Sequence, residues 1–357
     1  MTLGDGVERG IRMLEFRSGT GLRFTVLIDR AFDIGDCDYR GLAVGWNSPA
    51  GFKHPGLHEY EGEGGLAWLR SFSGLIVTCG LDHILFMYDA PADNYVYGPR
   101  KTVSQSIHGR IGNGYGERWE GDDCILWCEG SVMQGTVFGE HLELIRRIEI
   151  KAGTNDIKLT DRVVNRGFYR TPHMYCYHVN VGHPVLAEGS RYLAPIRDVV
   201  WAAHAGDSYR KQNVGYRSLL APQLNFHEQV WQHEMGADAK GEVPVALINE
   251  SLEIGFELTT RKDQFPCQYE WQNLQAGQYA VGLEPSTNHV LGQGYAREKG
   301  ELIWLEHGDE RRYDSTFRIL TSKAEIAASE QRIRAIAEQP AEDYPQPSGK
   351  HLPIGGR

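Results

Sequence analysis

Two acid–base side chains stand out in this sequence. His178 lies in the run Pro172–Pro184, which is dominated by Tyr, Cys and Val, holds three histidines and contains neither Lys nor Glu. Glu284 comes much later, where the apolar run from Tyr279 to Pro285 breaks. An imidazole and a carboxylate brought together from separate strands suit proton transfer, one as base and one as acid. Burial would raise the carboxylate's pKa and make it a better base. Each residue also has a plainer reading. The histidine could be satisfied by a backbone carbonyl in the core, and the glutamate could pair with an arginine or cap a turn.

The elements that must hold these groups read as strands. Side chains alternate faces along a strand. Across Pro172–Pro184, Met174, Cys176, His178 and Asn180 share one face, and His173, Tyr175, Tyr177, Val179 and Val181 share the other. His173 should therefore point away from His178. Glu284 precedes a proline, which pushes its backbone to the extended region.

The rest of the chain fits many short strands. Its 357 residues include 42 glycines, 17 tyrosines and 8 tryptophans, as expected of strands joined by tight turns. Hairpin spacing appears over Ile11–Phe16 and Leu22–Ile28. Further strands are expected at Cys124–Glu129, Ser131–Phe138, Leu142–Ile150 and Ile157–Asn165. Later ones are expected at Val245–Asn249, Leu252–Thr259, Gln268–Gln272, Leu302–Glu306 and Tyr313–Leu320. Residues 190–244 read as less regular. Gly65–Arg70 suits a short helical turn. One clear helix is expected at about Ser322–Glu338, with Ser322 and Glu325 as a capping box and Glu330 and Arg334 as an i,i+4 pair. The tail after it is rich in Pro and Gly.

Composition excludes several classes. A net charge of −10 with no basic stripe argues against a nucleic-acid partner. No apolar run reaches the roughly 18–20 residues that span a bilayer. The N-terminus lacks a basic segment followed by an apolar one, so the expected location is cytoplasmic. The six cysteines include no CxxC and are expected as reduced thiols. No metal or cofactor is expected.

Several segments carry a family resemblance. Pro172, His178 and Asn180 resemble the strand that bears the acid histidine of the galactose mutarotase (aldose 1-epimerase) superfamily. Ile107, His108 and Gly109 resemble its Leu-His-Gly segment, which supplies a second histidine. Leu283, Glu284 and Pro285 resemble the late strand with its general-base glutamate, and the order His, His, Glu is also the family's. The stretches Ile28–Ile34, Gly74–Asp82, Val137–Glu140, Tyr177–Gly182 and Gly282–Asn288 are similar to a bacterial branch of that superfamily. The resemblance covers roughly residues 10–320. Where better-known members carry an Asn-Arg pair in an early strand, this chain has Arg70 and Thr78–Asp82. The family's sugar-binding aspartate has no clear counterpart in residues 200–244.

The resemblance implies an all-β fold, a β-supersandwich over residues 1–321, followed by the helix over 322–338 and a tail over 339–357. It implies an aldose 1-epimerase that interconverts the anomers of a free monosaccharide. Glu284 would take the proton of the C1 hydroxyl, His178 would protonate the ring oxygen, and His108 would stabilise charge on the ring-oxygen side. Arg70, Arg110, Asp82, Asn180 and His233 are the candidates for binding the sugar, with Trp201, Trp231 and Trp271 as stacking surfaces. Two alternatives stay open. One is another epimerase, isomerase or lyase on the same fold, metal-assisted through His108, His178 and Glu284. The other is a carbohydrate-binding protein without turnover. A homodimer is compatible with the sequence and not required by it.

Overall fold

The structure is a computed structural model that describes residues 1–58, 66–84, 108–203, 215–217 and 219–337, with only the backbone described for 108–113. In chain order, β1–β4 (Met13–Arg17, Leu22–Leu27, Asp33–Tyr39, Leu42–Ala43) form a four-stranded antiparallel sheet. A 3₁₀ turn at Ala67–Ser71 leads to β5 (Ile76–Thr78). The long hairpins β6 (His108–Glu120), β7 (Asp123–Gly135), β8 (His141–Lys151) and β9 (Asp156–Asn165) follow. Then come β10 (Thr171–His173), β11 (Tyr177–Gly182), β12 (Arg191–Leu193), β13 (Ile196–Ala202) and β14 (Gln229–Met235). The chain continues with β15 (Glu242–Asn249), β16 (Ile254–Arg261), β17 (Cys267–Asn273) and β18 (Ala280–Ser286). It closes with α1 (Gly292–Glu298), β19 (Ile303–Leu305), β20 (Glu310–Leu320) and α2 (Lys323–Ile336).

Two large sheets face each other. One has eight strands in the order β12-β15-β16-β20-β9-β8-β7-β6, and the other has six in the order β13-β14-β17-β18-β11-β5. Alternation along β8 is clean: Leu142, Leu144, Arg146, Ile148 and Ile150 are buried, while Glu143, Ile145, Arg147 and Glu149 between them are partly exposed. This is the pattern of a sheet with one face in the core and one facing water. The four-stranded sheet joins the same core through Phe24, Val26, Phe32 and Ile34. The fold is an all-β supersandwich.

Two expected strands, Cys124–Glu129 and Ser131–Phe138, are a single strand, β7. Gly130 does not break it. A Cβ there would collide with the Phe32 ring, so the glycine admits that ring into the core. Phe32 reaches it from a turn in which Ala31 and Phe32 both have φ above +50°. Non-glycine residues rarely adopt that region, so tertiary contacts must hold it. The Arg30 guanidinium donates to Ser73 O at 2.6 Å, and Arg146 to Ala31 O at 3.4 Å.

The run Pro172–Pro184 is two strands in two sheets, with β10 on β19 and β11 between β18 and β5. The expected alternation survives the break. His173 faces the core, its ring nitrogens bonded to Leu81 O and the Tyr313 hydroxyl at 2.6 Å each. Burial, foremost, holds its pKa down to about 4, so the ring is neutral. The expected helix is α2, capped by Ser322 Oγ accepting from Glu325 N at 3.2 Å. It docks Ile326 and Ile333 on Ala246, Ile248 and Leu320. Helix α1 and strands β12–β14 lie in stretches that carry no clear period, and sequence reading gave no such elements there.

Beneath β11 lies a fully buried ionic network. Arg146 on β8 forks onto Asp161 of β9 at 3.0 and 2.8 Å and reaches Asp33 of β3 at 2.9 Å. The Tyr175 and Tyr177 hydroxyls each donate to Asp161 Oδ2 at 2.6 Å, and Thr78 Oγ1 donates to Asp33 Oδ1 at 2.6 Å. Replacing Arg146 by Met keeps much of the volume but leaves Asp161 in the core without its cation and Asp33 with only Arg30, 4.0 Å away. Such uncompensated burial costs about 3–5 kcal/mol. Urea unfolding of Arg146→Met should show that loss as a lower midpoint. An unchanged midpoint would mean that the network adds nothing to stability.

Candidate active site

The outer face of the six-stranded sheet carries the site. Antiparallel pairing sets Val179 opposite Leu283 and Asn180 opposite Gly282, which brings His178 and Glu284 onto the same face of adjacent strands. His178 Nε2 lies 2.9 Å from Glu284 Oε1, and both side chains are more than nine-tenths buried. Gly282 makes room for them. A Cβ there would collide with Glu284 Oε1 and stand 3.1 Å from His178 Cε1.

Besides Glu284, three side chains hold the His178 ring. Phe72 and Trp271 meet it edge-on, with ring centroids 4.6 and 5.1 Å away. Its Nδ1 is 2.6 Å from Asn180 Oδ1. Burial alone would lower its pKa. The Glu284 charge and hydrogen bond outweigh that, with smaller help from Cys79 and Asn180, and the net shift is upward. The protonated ring is thereby favoured beside Glu284. A protonated imidazole can give a proton to a neighbouring group.

His178 and Glu284 open onto a cavity of about 650 Å³, a volume suited to a small ligand. Trp46, Trp68, Phe72, Trp201 and Trp271 form its walls. Trp46 is tied to the pair's own strand, its amide donating to Asn180 O at 3.1 Å, and Trp68 and Phe72 come from the 3₁₀ turn and the residue after it. At the mouth, Glu228 accepts from Trp271 Nε1 at 2.7 Å and orients that indole. Trp46, Trp68, Phe72 and Glu228 escaped sequence reading because they sit in connecting segments with no period.

The other sequence candidates fall into four groups. Asn180 touches His178 but does not line the cavity. Arg70 is exposed on the 3₁₀ turn and is absent from the cavity wall. Asp82 is buried away from it, accepting from Gln134 Nε2 at 2.7 Å, while its backbone oxygen accepts from Gln293. His233 is a correction of the same kind. On β14 the even positions, such as Val230, face the cavity, so His233 faces the core beside Tyr192, Tyr216 and Glu270. Burial, foremost, takes its pKa down to about 3. Of the proposed stacking residues, Trp201 and Trp271 line the cavity, and Trp231 lies in the core by the same alternation. His108 and Arg110 have backbone positions on β6, opposite Met133 and Ser131, and their side chains lie outside the described residues. Among the described residues no group of three or more His, Cys, Asp or Glu could hold a metal ion. No described helix is long and apolar enough to cross a membrane.

A family model described as "Domain of unknown function (DUF4432)" matches residues 8–319. The chain belongs to this family. The chain is similar to a putative aldose 1-epimerase from Klebsiella pneumoniae, with TM-score 0.80 and 22% identity over 95% of this chain and 87% of that one. It is also similar to the Slr1438 protein from Synechocystis, with TM-score 0.59 and 14% identity over 90% and 100% of the two chains. A galactose mutarotase-like protein from Clostridium acetobutylicum gives TM-score 0.54 and 13% identity over 87% and 95%. At such identities the likeness establishes a galactose mutarotase-like fold. No curated protein matches the sequence.

The role of Gly282 is open to a direct test. In Gly282→Ala the methyl group would overlap Glu284 Oε1 and press on His178 Cε1 and Trp271 Cβ, at 3.1 and 3.2 Å, so the carboxylate should leave His178. The midpoint of thermal unfolding should drop as the buried pair separates, and the His178 pKa, followed by NMR, should fall. A His178 pKa unchanged from wild type would show that the pair tolerates the methyl group.

Proposed function

We propose that this protein is an aldose 1-epimerase-like isomerase that interconverts the α and β anomers of a free monosaccharide. The observation that carries this reading is the touching His178–Glu284 pair at the floor of an aromatic cavity. In a cyclic aldose the hydroxyl oxygen O1 and the ring oxygen are bonded to the same carbon, C1. A base for one and an acid for the other must therefore stand side by side, as these two do.

In this mechanism the Glu284 carboxylate takes the O1 proton as C1=O1 forms. The bond from C1 to the ring oxygen breaks, and His178 Nε2 gives its proton to that oxygen. The open aldehyde turns about C1–C2. Closure on the other face returns the ring-oxygen proton to His178 and the Glu284 proton to O1. The indoles offer flat apolar faces to the C–H side of a sugar ring, with Trp271 fixed for that purpose by Glu228. The aromatic walls limit water around the pair, which strengthens its electrostatic interactions.

Anomer-exchange NMR against a panel of free aldoses tests the reading. Catalysed exchange with at least one sugar is expected. In Glu284→Gln the kcat should fall by roughly 10²–10⁴-fold, the usual worth of a positioned general base. The KM should change far less. Sugar binding without exchange in the wild type would overturn the enzymatic reading in favour of a binding protein. Wild-type exchange in a folded Glu284→Gln would remove Glu284 from the mechanism.

The pH profile provides a second test. The acid form of His178 is lost as pH rises through its raised pKa, so activity should persist above the ordinary histidine value of about 6.5 before falling. Glu284→Gln removes the charge that raises this pKa, and any residual activity should fall off at lower pH. An alkaline limb that did not move would detach it from His178.

A further inference from the structure

Asn180 was expected to bind substrate, yet it is fully buried and makes all its bonds inside the protein. Its amide nitrogen donates to Gly74 O and to His178 O, at 3.1 Å each. Both partners are carbonyls, which can only accept. The nitrogen must therefore face them, and the oxygen must face His178 Nδ1, 2.6 Å away. An amide oxygen also only accepts. The hydrogen in that contact must come from the ring.

We propose that Asn180 is a positioning residue that locks His178 in the tautomer carrying its proton on Nδ1, so that Nε2 alone exchanges protons with Glu284 and with the substrate. With Nδ1–H fixed, neutral His178 has a bare Nε2. Nε2, 2.9 Å from Glu284 Oε1, is then the one ring nitrogen that gains and loses a proton. With that proton on Nε2 the ring is the acid of the proposed isomerisation. The opposite tautomer would set the Nδ1 lone pair against the Asn180 oxygen. The lock is anchored through Gly74 O to the segment between Phe72 and β5. That segment also carries one of the two rings that meet the imidazole edge-on.

The consequence for turnover rests on the proposed function, but the tautomer does not, and it can be read without any substrate. The ionisable groups acting on the His178 ring are Glu284 on β18 and Cys79 after β5, and Cys176 lies beside both. Long-range ¹H–¹⁵N correlation of the full chain labelled at histidine would report both ring nitrogens. The His178 signals are assigned by their loss in His178→Gln. Nδ1 should stay protonated across the titration while Nε2 alone changes. A neutral ring protonated on Nε2, or a mixture of tautomers, would overturn the proposal.

The variants give the functional arm. In Asn180→Ala the lock is lost, and the kcat for anomer exchange should fall by roughly 10- to 100-fold with KM little changed, the scale on which a metal-bound imidazole responds to loss of the partner of its other nitrogen. Asn180→Asp restores an acceptor at Nδ1. It should recover the tautomer and part of the rate, with the alkaline limb moved up by the added carboxylate. Equal losses in both variants with the wild-type tautomer retained would mean a structural role and reject the proposal. If the tautomer is as stated in the wild type and no aldose is turned over, the proposed function fails and the lock stands.

Discussion

The arrangement depends most on one buried cation. Arg146 is fully enclosed, and its guanidinium binds carboxylates from two different sheets, Asp161 in the eight-stranded sheet and Asp33 in the four-stranded one. The third sheet joins through the Tyr175 and Tyr177 hydroxyls on Asp161 and through Thr78 on Asp33. Apolar packing is tolerant of small slides between sheets. A planar, forked donor is not, because each of its bonds has a fixed direction. The network therefore sets where β11 and β5 lie relative to the other sheets. Next to it, the same guanidinium helps hold the turn at Ala31 and Phe32, whose ring fills the space left by Gly130.

This constraint passes through one strand to the other face. Tyr177 points into the network and His178 points into the cavity, one residue apart. The two neighbours of β11 complete the geometry from either side, β18 with Glu284 and β5 with the segment that bears Phe72 and Gly74. A one-residue slip of β18 against β11 would send Glu284 to the core and Leu283 to the cavity. The acid–base pair is thus a property of strand register, and register is fixed by the buried side.

Much of this was legible in the sequence because strand period is simple. The opposite orientations of His173 and His178 follow from counting, whereas the convergence of His178 and Glu284 depends on which strands pair, and the family resemblance implied it where strand period could not. The period does not show at His233 and Trp231. Their strand, β14, lies in a stretch whose polar residues hide the alternation. Glycine misled at position 130, where it marks a ring packed against the backbone and not a chain break. Gly282 is a related case, since its contribution is an absent side chain and no search for functional groups would select it. The cavity walls were illegible for another reason. Trp46, Trp68 and Phe72 sit in connecting segments, and what brings them to the site is long-range hydrogen bonding, such as Trp46 N to Asn180 O, which has no local signature.

The contact between Trp271 and His178 has an optical consequence. A protonated imidazole draws the excited electron of a neighbouring indole and dims its emission, while a neutral one does so weakly. Trp271 meets the ring at 5.1 Å and is tethered by Glu228, so its distance and angle are set by the fold. One of the protein's eight indoles thus stands beside its mobile proton. Loss of that proton should brighten the indole, and a sugar laid across it should change the colour of the emitted light. Arrival of a ligand and movement of charge would then leave separate traces in one unlabelled sample, on the timescale of a stopped-flow mixer.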